Sequence, residues 1–208
     1  MLRAFMKNLF AALLVLFSAV LAQNAFAGSE TASTRMTEDL DAPRFEISME
    51  SAYLLGIIGN PNSYEIGAQF VTGRVRWGAV HSDGWLRGFQ QIYFLVMAEP
   101  IFRGPENHYF GISIGMRYNF VRPGARLVPY ISGGVGEGFI DSRSQVFGAQ
   151  GQDFTFNVLT AAGVSYKVND HWKASAGILY QHLSNGGQTD PNPSLNLLGP
   201  QLGLTYSF

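Results

Sequence analysis

A chain of 208 residues that is 47% hydrophobic and 13% aromatic but only 14% charged is too apolar for an ordinary soluble domain, where charged residues make up about 25%. The formal net charge of −1, with no Lys/Arg-rich segment beyond the N-terminus, offers no field for a polyphosphate and excludes nucleic acid as a partner. No cysteine is present, so backbone pairing and burial, not a disulfide framework, must hold the chain together.

At the N-terminus Arg3 and Lys7 precede an apolar run from Leu9 to Leu21, followed by Ala25-Phe26-Ala27 with small residues at the −3 and −1 positions of a cleavage site. Residues 1–27 are therefore expected to be a removable signal peptide. Residues 28–43, rich in Ser, Thr, Glu and Asp and without periodicity, are expected to be a flexible segment leading into one domain over 44–208. No later apolar run reaches the length of about 20 residues that a membrane-spanning helix needs. The 24 glycines are scattered, and each weakens a helix by roughly 1 kcal/mol relative to alanine. Strands alternating in lipid reconcile the apolar content with the glycines, and the expected fold is all-β: an eight-stranded antiparallel up-and-down transmembrane β-barrel.

In chain order, the first strand sets Phe45, Ile47 and Met49 against Glu46, Ser48 and Glu50. The second, over 64–77, changes apolar phase between Phe70 and Val75, as a bulge would produce. The third falls near 86–98. The fourth, His108 to Phe120, is the clearest: Phe110, Ile112, Ile114, Met116, Tyr118 and Phe120 share one face, and Gly111, Ser113, Gly115, Arg117 and Asn119 the other. The rest fall near 126–136, 153–167, 171–184 and 196–208. Short turns at 81–84, 122–124 and 169–170 alternate with longer Gly/Pro/Asn-rich stretches at 56–63, 99–107, 137–152 and 185–195, as such a barrel requires. The end, Leu202 to Phe208, is apolar at every second residue. It resembles the signal that outer-membrane barrels present to their assembly machinery, which would be a partner through Phe208.

By parity Glu46, Glu50, Arg117 and Lys167 face inward, as a paired polar core that plugs a narrow lumen and excludes a channel. Trp77, Trp85, Trp172, Tyr118, Phe120 and Tyr206 gather at the short-turn ends, which suits an aromatic girdle. Glu137 and Asp141 are placed in the third long loop as solvated acids in preference to a cation bridge to phosphates. His81, His108 and His171 have no neighbours at metal-ligand spacing, so no metal is expected.

On the seventh strand the even positions Trp172, Ala174, Ala176, Ile178 and Tyr180 form the apolar face, and the same parity reaches His182 and Ser184 at its far end. Residues i and i+2 on one face are near enough for an imidazole to take the proton of a serine attacking an ester. The plain alternative is a histidine and a serine resting among lipid headgroups.

The stretch His182-Leu183-Ser184-Asn185-Gly186-Gly187, followed by Asn192-Pro193-Ser194-Leu195-Asn196-Leu197-Leu198-Gly199, resembles the C-terminal signature of the lipid A deacylase (PagL) family. The resemblance implies an eight-stranded outer-membrane barrel that hydrolyses the ester-linked acyl chain at the 3-position of lipid A. Ser184 would be the nucleophile and His182 the base, with Asn185, the Gly187 backbone and Asn192 around the oxyanion, and no cofactor. Twelve residues after Ser184, where the family pattern has a glutamate, this chain has Asn196. Outer-membrane phospholipase A resembles that variant in using histidine, serine and asparagine. Asn196 shares the outward parity of Leu198, Leu202 and Leu204, so it should stand beside His182 unless Pro200 interrupts the strand pairing. Asp190, the nearest carboxylate, is an alternative orienter, though Asp190-Pro191-Asn192-Pro193 reads more simply as a turn.

The expected function is thus an outer-membrane serine esterase removing the 3-O-linked acyl chain of lipid A, with lipopolysaccharide and outer-membrane lipid as partners; a homodimer is compatible with the sequence. Two other readings stand beside it. One is a non-catalytic structural or adhesive barrel that binds through its loops. The other is a phospholipase-like esterase with a Ser-His-Asn triad.

Overall fold

The computed structural model describes residues 44–208 except 57–58, 61–62 and 82–83. The expected signal peptide and N-terminal segment lie outside the described residues, as does the centre of the first short turn. Strands β1 (Phe45–Leu55), β2 (Glu65–His81), β3 (Gly88–Arg103), β4 (His108–Phe120), β5 (Leu127–Ile140), β6 (Phe154–Lys167), β7 (Trp172–Ser184) and β8 (Leu195–Ser207) close into one antiparallel barrel, with β8 returning to pair with β1. No helix among the described residues is long and apolar enough to cross a membrane.

Alternation decides which side of the wall each residue faces. On β1, Phe45, Ile47 and Met49 are 49%, 49% and 70% exposed, whereas Glu46, Ser48 and Glu50 are at most 8% exposed. This is the reverse of a water-soluble domain, and it leaves an apolar outer belt that includes Phe94, Ile114, Val135 and Ile178. Three strands run past their expected ends. β2 continues from Trp77 to His81, β3 continues through Glu99 and Pro100 to Arg103, and β5 continues from Gly136 through Glu137 and Gly138 to Ile140, so Glu137 lies in a strand opposite Ile112 and Phe156 and not in a loop. Two of the β5 glycines answer to lumen tyrosines: a Cβ on Gly134 would lie 2.2 Å from the Tyr93 hydroxyl, and one on Gly138 2.4 Å from that of Tyr109. Nor does β2 bulge between Phe70 and Val75. Its register with β1 is unbroken from Phe45↔Val75 to Leu55↔Glu65, and its irregularities against β3 fall at Glu65/Ile66 and Trp77/His81. The phase changes because Phe70 points into a lumen that is apolar at that level.

The lumen has two halves. Toward the short turns it is polar: Arg74 pairs with Glu50, Lys173 pairs with Glu46, and Arg117 lies 3.6 Å above the Tyr130 ring while bonding Asn119 and Ser165. Lys167, expected inside, pairs instead with Asp170 at the rim. Toward the long loops the lumen is filled by apolar side chains, among them Leu54, Ile66, Leu183, Leu195 and Leu197, all fully buried. Asp141, just past β5, accepts hydrogen bonds from the Asn107 N–H and Nδ2 at 2.8 and 2.7 Å and from the His108 N–H at 2.8 Å. It is a fastener between loops.

Partial burial pushes the Asp141 carboxyl up, but those three donors outweigh it and hold the group below the ordinary carboxylate range. A lowered value contributes stability that is fully present above the unfolded pKa and is lost as pH falls through the folded one. Amide hydrogen exchange at Asn107 and His108 should therefore stay slow through the ordinary carboxylate range and quicken only below it. In the lumen, Arg74→Met leaves the buried Glu50 carboxylate without its cation and should destabilise the barrel by about 3–5 kcal/mol, read by urea unfolding from lipid vesicles. Adding Glu50→Gln should recover most of that loss.

Candidate active site

Strands β7 and β8 pair without interruption from Trp172↔Tyr206 to Leu183↔Leu195, with Pro200 opposite Ile178. Pro200 disturbs the other side: the β8–β1 ladder skips Tyr53 and Leu54 before its last pair, Leu55↔Leu198. His182 and Asn196 are therefore direct cross-strand partners on the outer face. The Asn196 main-chain N–H and C=O both engage Asn60, on the side away from β7. His182 and Asn196 thus form a non-hydrogen-bonded pair, the kind in which side chains approach most closely.

The side chains use that proximity. His182 Nδ1 is 2.8 Å from Asn196 Oδ1, and the Tyr180 hydroxyl donates to the same oxygen at 2.8 Å. Asn196 Nδ2 donates to the Ser194 carbonyl at 3.0 Å. A carbonyl only accepts, so the amide nitrogen belongs on the Ser194 side and the oxygen on the histidine side. His182 must then carry its proton on Nδ1, which leaves the Nε2 lone pair free to act as a base.

Ser184 ends β7 opposite Phe156. Its Oγ accepts hydrogen bonds from the Gly186 N–H at 3.1 Å and from Asn192 Nδ2 at 3.0 Å, while Asn192 Oδ1, 3.2 Å away, also takes the Asn185 N–H. Among the described residues no hydrogen bond joins Ser184 to His182. Gly186 and Gly187, at φ 69° and 74°, turn the chain sharply after the serine, a conformation that favours glycine.

The residues expected around the oxyanion divide. Asn192 touches the serine oxygen. Asn185 is fully buried and organises the loop, donating from Nδ2 to the Thr189 and Pro191 carbonyls at 2.6 and 3.3 Å, and its Oδ1 takes the Gly187 N–H at 2.9 Å. Gly186, not Gly187, therefore offers its amide to the serine, a choice set by backbone torsions that a run of two glycines does not reveal. Asp190 is exposed and makes no hydrogen bond to His182 among the described residues. Tyr180, part of the apolar face of β7 by parity, adds a polar contact through its hydroxyl that the same parity with His182 and Ser184 makes findable.

The loop over 185–194 is braced by the loop over 141–153. The Gly151 N–H donates to the Pro191 carbonyl at 2.7 Å, and Gln152 bonds both Gln188 and Thr189. The brace is rooted in the lumen mouth, where Glu106 accepts from the Gln150 N–H and the Tyr64 hydroxyl, both at 2.8 Å. Burial and the neighbouring Glu106 carboxylate hold the Tyr64 phenol protonated well above its ordinary range.

A sequence model of the lipid A 3-O-deacylase (PagL) family matches residues 62–205, which include every residue of the site just described except Asn60. The chain belongs to this family. The barrel is similar to the crystal structure of the outer membrane enzyme PagL, with a TM-score of 0.54 and 17% identity over 78% of this chain and 99% of that one. It is also similar to Neisserial surface protein A (NspA), with a TM-score of 0.56 and 14% identity over 79% of this chain and 97% of that one. No curated protein sequence matches significantly. At these identities the structural likenesses establish the barrel, and they do so equally for an enzyme and for a surface protein. What distinguishes an enzyme from a surface protein on this fold must lie in particular side chains.

A Cβ at Gly151 would lie 2.6 Å from the Asp190 carbonyl, a main-chain group with little room to yield. Gly151→Ala should therefore loosen residues 185–194 while leaving the barrel intact. The check is faster amide exchange confined to that loop, with unchanged protection in β7 and β8.

Proposed function

We propose that this chain is an outer-membrane serine esterase that removes the 3-O-linked acyl chain from lipid A, with Ser184 as nucleophile, His182 as general base and Asn196 orienting the ring. The observation that carries this reading is the Asn196 Oδ1 contact to His182 Nδ1 at 2.8 Å, with the amide oriented by Ser194. An interfacial histidine resting among headgroups needs no such fixed tautomer. Export through the segment 1–27 and assembly through the strand ending at Phe208 complete the proposal.

In the resting geometry the serine hydroxyl is held by Asn192 and Gly186, and a rotation about χ1 swings Oγ toward Nε2. Catalytic hydrogen bonds of this kind commonly tighten only when substrate is present. Nε2 then takes the hydroxyl proton as Oγ attacks the ester carbonyl. The carbonyl electrons move onto oxygen, and the Gly186 N–H and Asn192 Nδ2, already against Oγ, are the donors nearest that oxyanion. Collapse breaks the bond to the sugar oxygen, which leaves with the proton from His182. Water, deprotonated by the same nitrogen, attacks the acyl-enzyme and releases the fatty acid, restoring Ser184.

The location suits this chemistry. The lumen is packed, so the substrate must come from outside, and the site stands on the outer face beside the apolar belt formed by residues such as Phe156 and Ile178. A lipid reaches it by lateral diffusion with its acyl chains already alongside the wall. Asn196 also suits a Ser-His-Asn phospholipase, which would keep the mechanism and change the lipid.

Mass spectrometry of lipid A from cells expressing wild type or Ser184→Ala at matched membrane levels tests the proposal. Loss of one acyl chain only with wild type is expected, and His182→Ala should match Ser184→Ala, each reducing turnover at least about 1,000-fold. Identical lipid A spectra, with fatty acid released from phospholipids instead, would reassign the substrate. Asn196→Glu should retain or raise activity. Asn196→Leu should lower it by about 100-fold or more, since the ring loses the acceptor that fixes its tautomer.

A further inference from the structure

Among the described residues the β8–β1 ladder reaches Leu55↔Leu198, and Asn196 lies two residues past that pair. Both of its main-chain polar groups meet one side chain from the loop between β1 and β2: Asn60 Oδ1 accepts the Asn196 N–H at 2.9 Å, and Asn60 Nδ2 donates to the Asn196 carbonyl at 3.0 Å. A carboxamide presents one donor and one acceptor in a plane, as a peptide group does, so it can pair with a strand as a rung of neighbouring backbone would.

The chain makes room for that rung. A Cβ on Gly56 would lie 2.3 Å from Asn60 Nδ2 and 2.9 Å from Tyr64 Cβ, and the loop is closed at that point by the Gly56 N–H donating to the Tyr64 carbonyl at 3.0 Å. Any side chain at Gly56 would push the Asn60 amide off Asn196. Tyr64 in turn bonds Glu106, which holds the loop over 141–153, so one connected set of contacts reaches both Asn196 and the loop that follows the serine.

We propose that Asn60 is a positioning residue for the catalytic histidine: by pairing with both main-chain groups of Asn196, it fixes the height and rotation of the amide that orients His182. The proposal rests on the Ser184–His182–Asn196 reading. Without Asn60, the Asn196 main chain loses both of these contacts, and the Oδ1 acceptor wanders relative to Nδ1. Displacements of about 1 Å at catalytic groups are known to cost on the order of 100-fold in rate.

The test measures single-turnover and steady-state deacylation of purified lipid A by the full-length protein folded in lipid vesicles. Asn60→Ala should lower kcat about tenfold or more with KM little changed, and Gly56→Ala, which leaves Asn60 in place but displaces its amide, should reproduce the effect. Asn60→Asp, which keeps the acceptor and loses the donor, should fall between. The decisive arm is the double variant: in an Asn196→Ala background, Asn60→Ala should have no further effect on kcat, because the amide it positions is already gone. The same further drop in that background would show that Asn60 acts on the loop in general and would overturn the proposal, as would wild-type kcat in Asn60→Ala. Ser184→Ala separates the two levels of inference. Retained activity there would sink the site reading and this proposal together, whereas an inactive Ser184→Ala beside a fully active Asn60→Ala would sink only the role of Asn60.

Discussion

Burial of Leu183, Leu195 and Leu197 in the loop-end half of the lumen is the constraint on which the site depends. These residues alternate with His182, Ser184 and Asn196 along β7 and β8, and each is fully buried. A slip of one residue in either strand would turn the leucines to the outside and the polar groups into an apolar core. Each leucine side chain contributes on the order of 2 kcal/mol by leaving water, and a buried unsatisfied amide or imidazole would add a penalty of similar size. The register that juxtaposes His182 and Asn196 is therefore held by residues that take no part in chemistry. The polar half of the lumen serves the same end from a distance, since the pairs of Glu50 with Arg74 and Glu46 with Lys173 lock β1 to β2 and β7 across the barrel.

Period-two alternation made most of this legible in the sequence. Eight strands, their order, the outward face of β7 and the pairing of His182 with Asn196 all follow from parity and closure, because in a barrel every strand has two neighbours and no freedom of face. The errors have a common physical source. Glu137-Gly138 and Glu99-Pro100 read as loop because small, acidic or cyclic residues weaken a strand considered alone. In the barrel, Gly138 is the complement of Tyr109, and Glu99 is met by Gln181 across the lumen. Phe70 suggested a bulge because an apolar residue inside a membrane barrel contradicts the simple rule of apolar-out, polar-in. The loop-end lumen breaks that rule.

The candidate site was legible in part for the same reason. His182, Ser184 and Asn196 lie on strands or at strand ends, where parity applies. Asn185, Gly186, Gly187 and Asn192 lie in a loop whose geometry is set by torsions and by contacts with residues about forty positions earlier, such as Gly151 and Gln152. Nothing local distinguishes the Gly186 amide from that of Gly187. Asn60 is further still, 136 residues from Asn196, and it is the closing of β8 on β1 that brings its loop alongside.

The asparagine at 196 then has a consistent physical account. On the proposed mechanism, a carboxylate there would stabilise the imidazolium formed as Ser184 gives up its proton, but it would also have to be kept charged on a wall facing lipid, where desolvation is costly. An amide avoids that cost and still supplies the acceptor that fixes the tautomer, provided its oxygen cannot exchange places with its nitrogen. Ser194, with its φ of 53°, directs a carbonyl at Nδ2, and Tyr180 and His182 both meet Oδ1, so a flip would set a donor against donors and an acceptor against an acceptor. The Tyr180 hydroxyl also withdraws part of the electron density that Oδ1 offers to the ring, which weakens its support of the imidazolium. Orientation is preserved and charge stabilisation is reduced. On the proposed mechanism, the burden of stabilising the transition state accordingly shifts to the donors beside Ser184, namely Gly186 and Asn192, and to the loop contacts that keep them there.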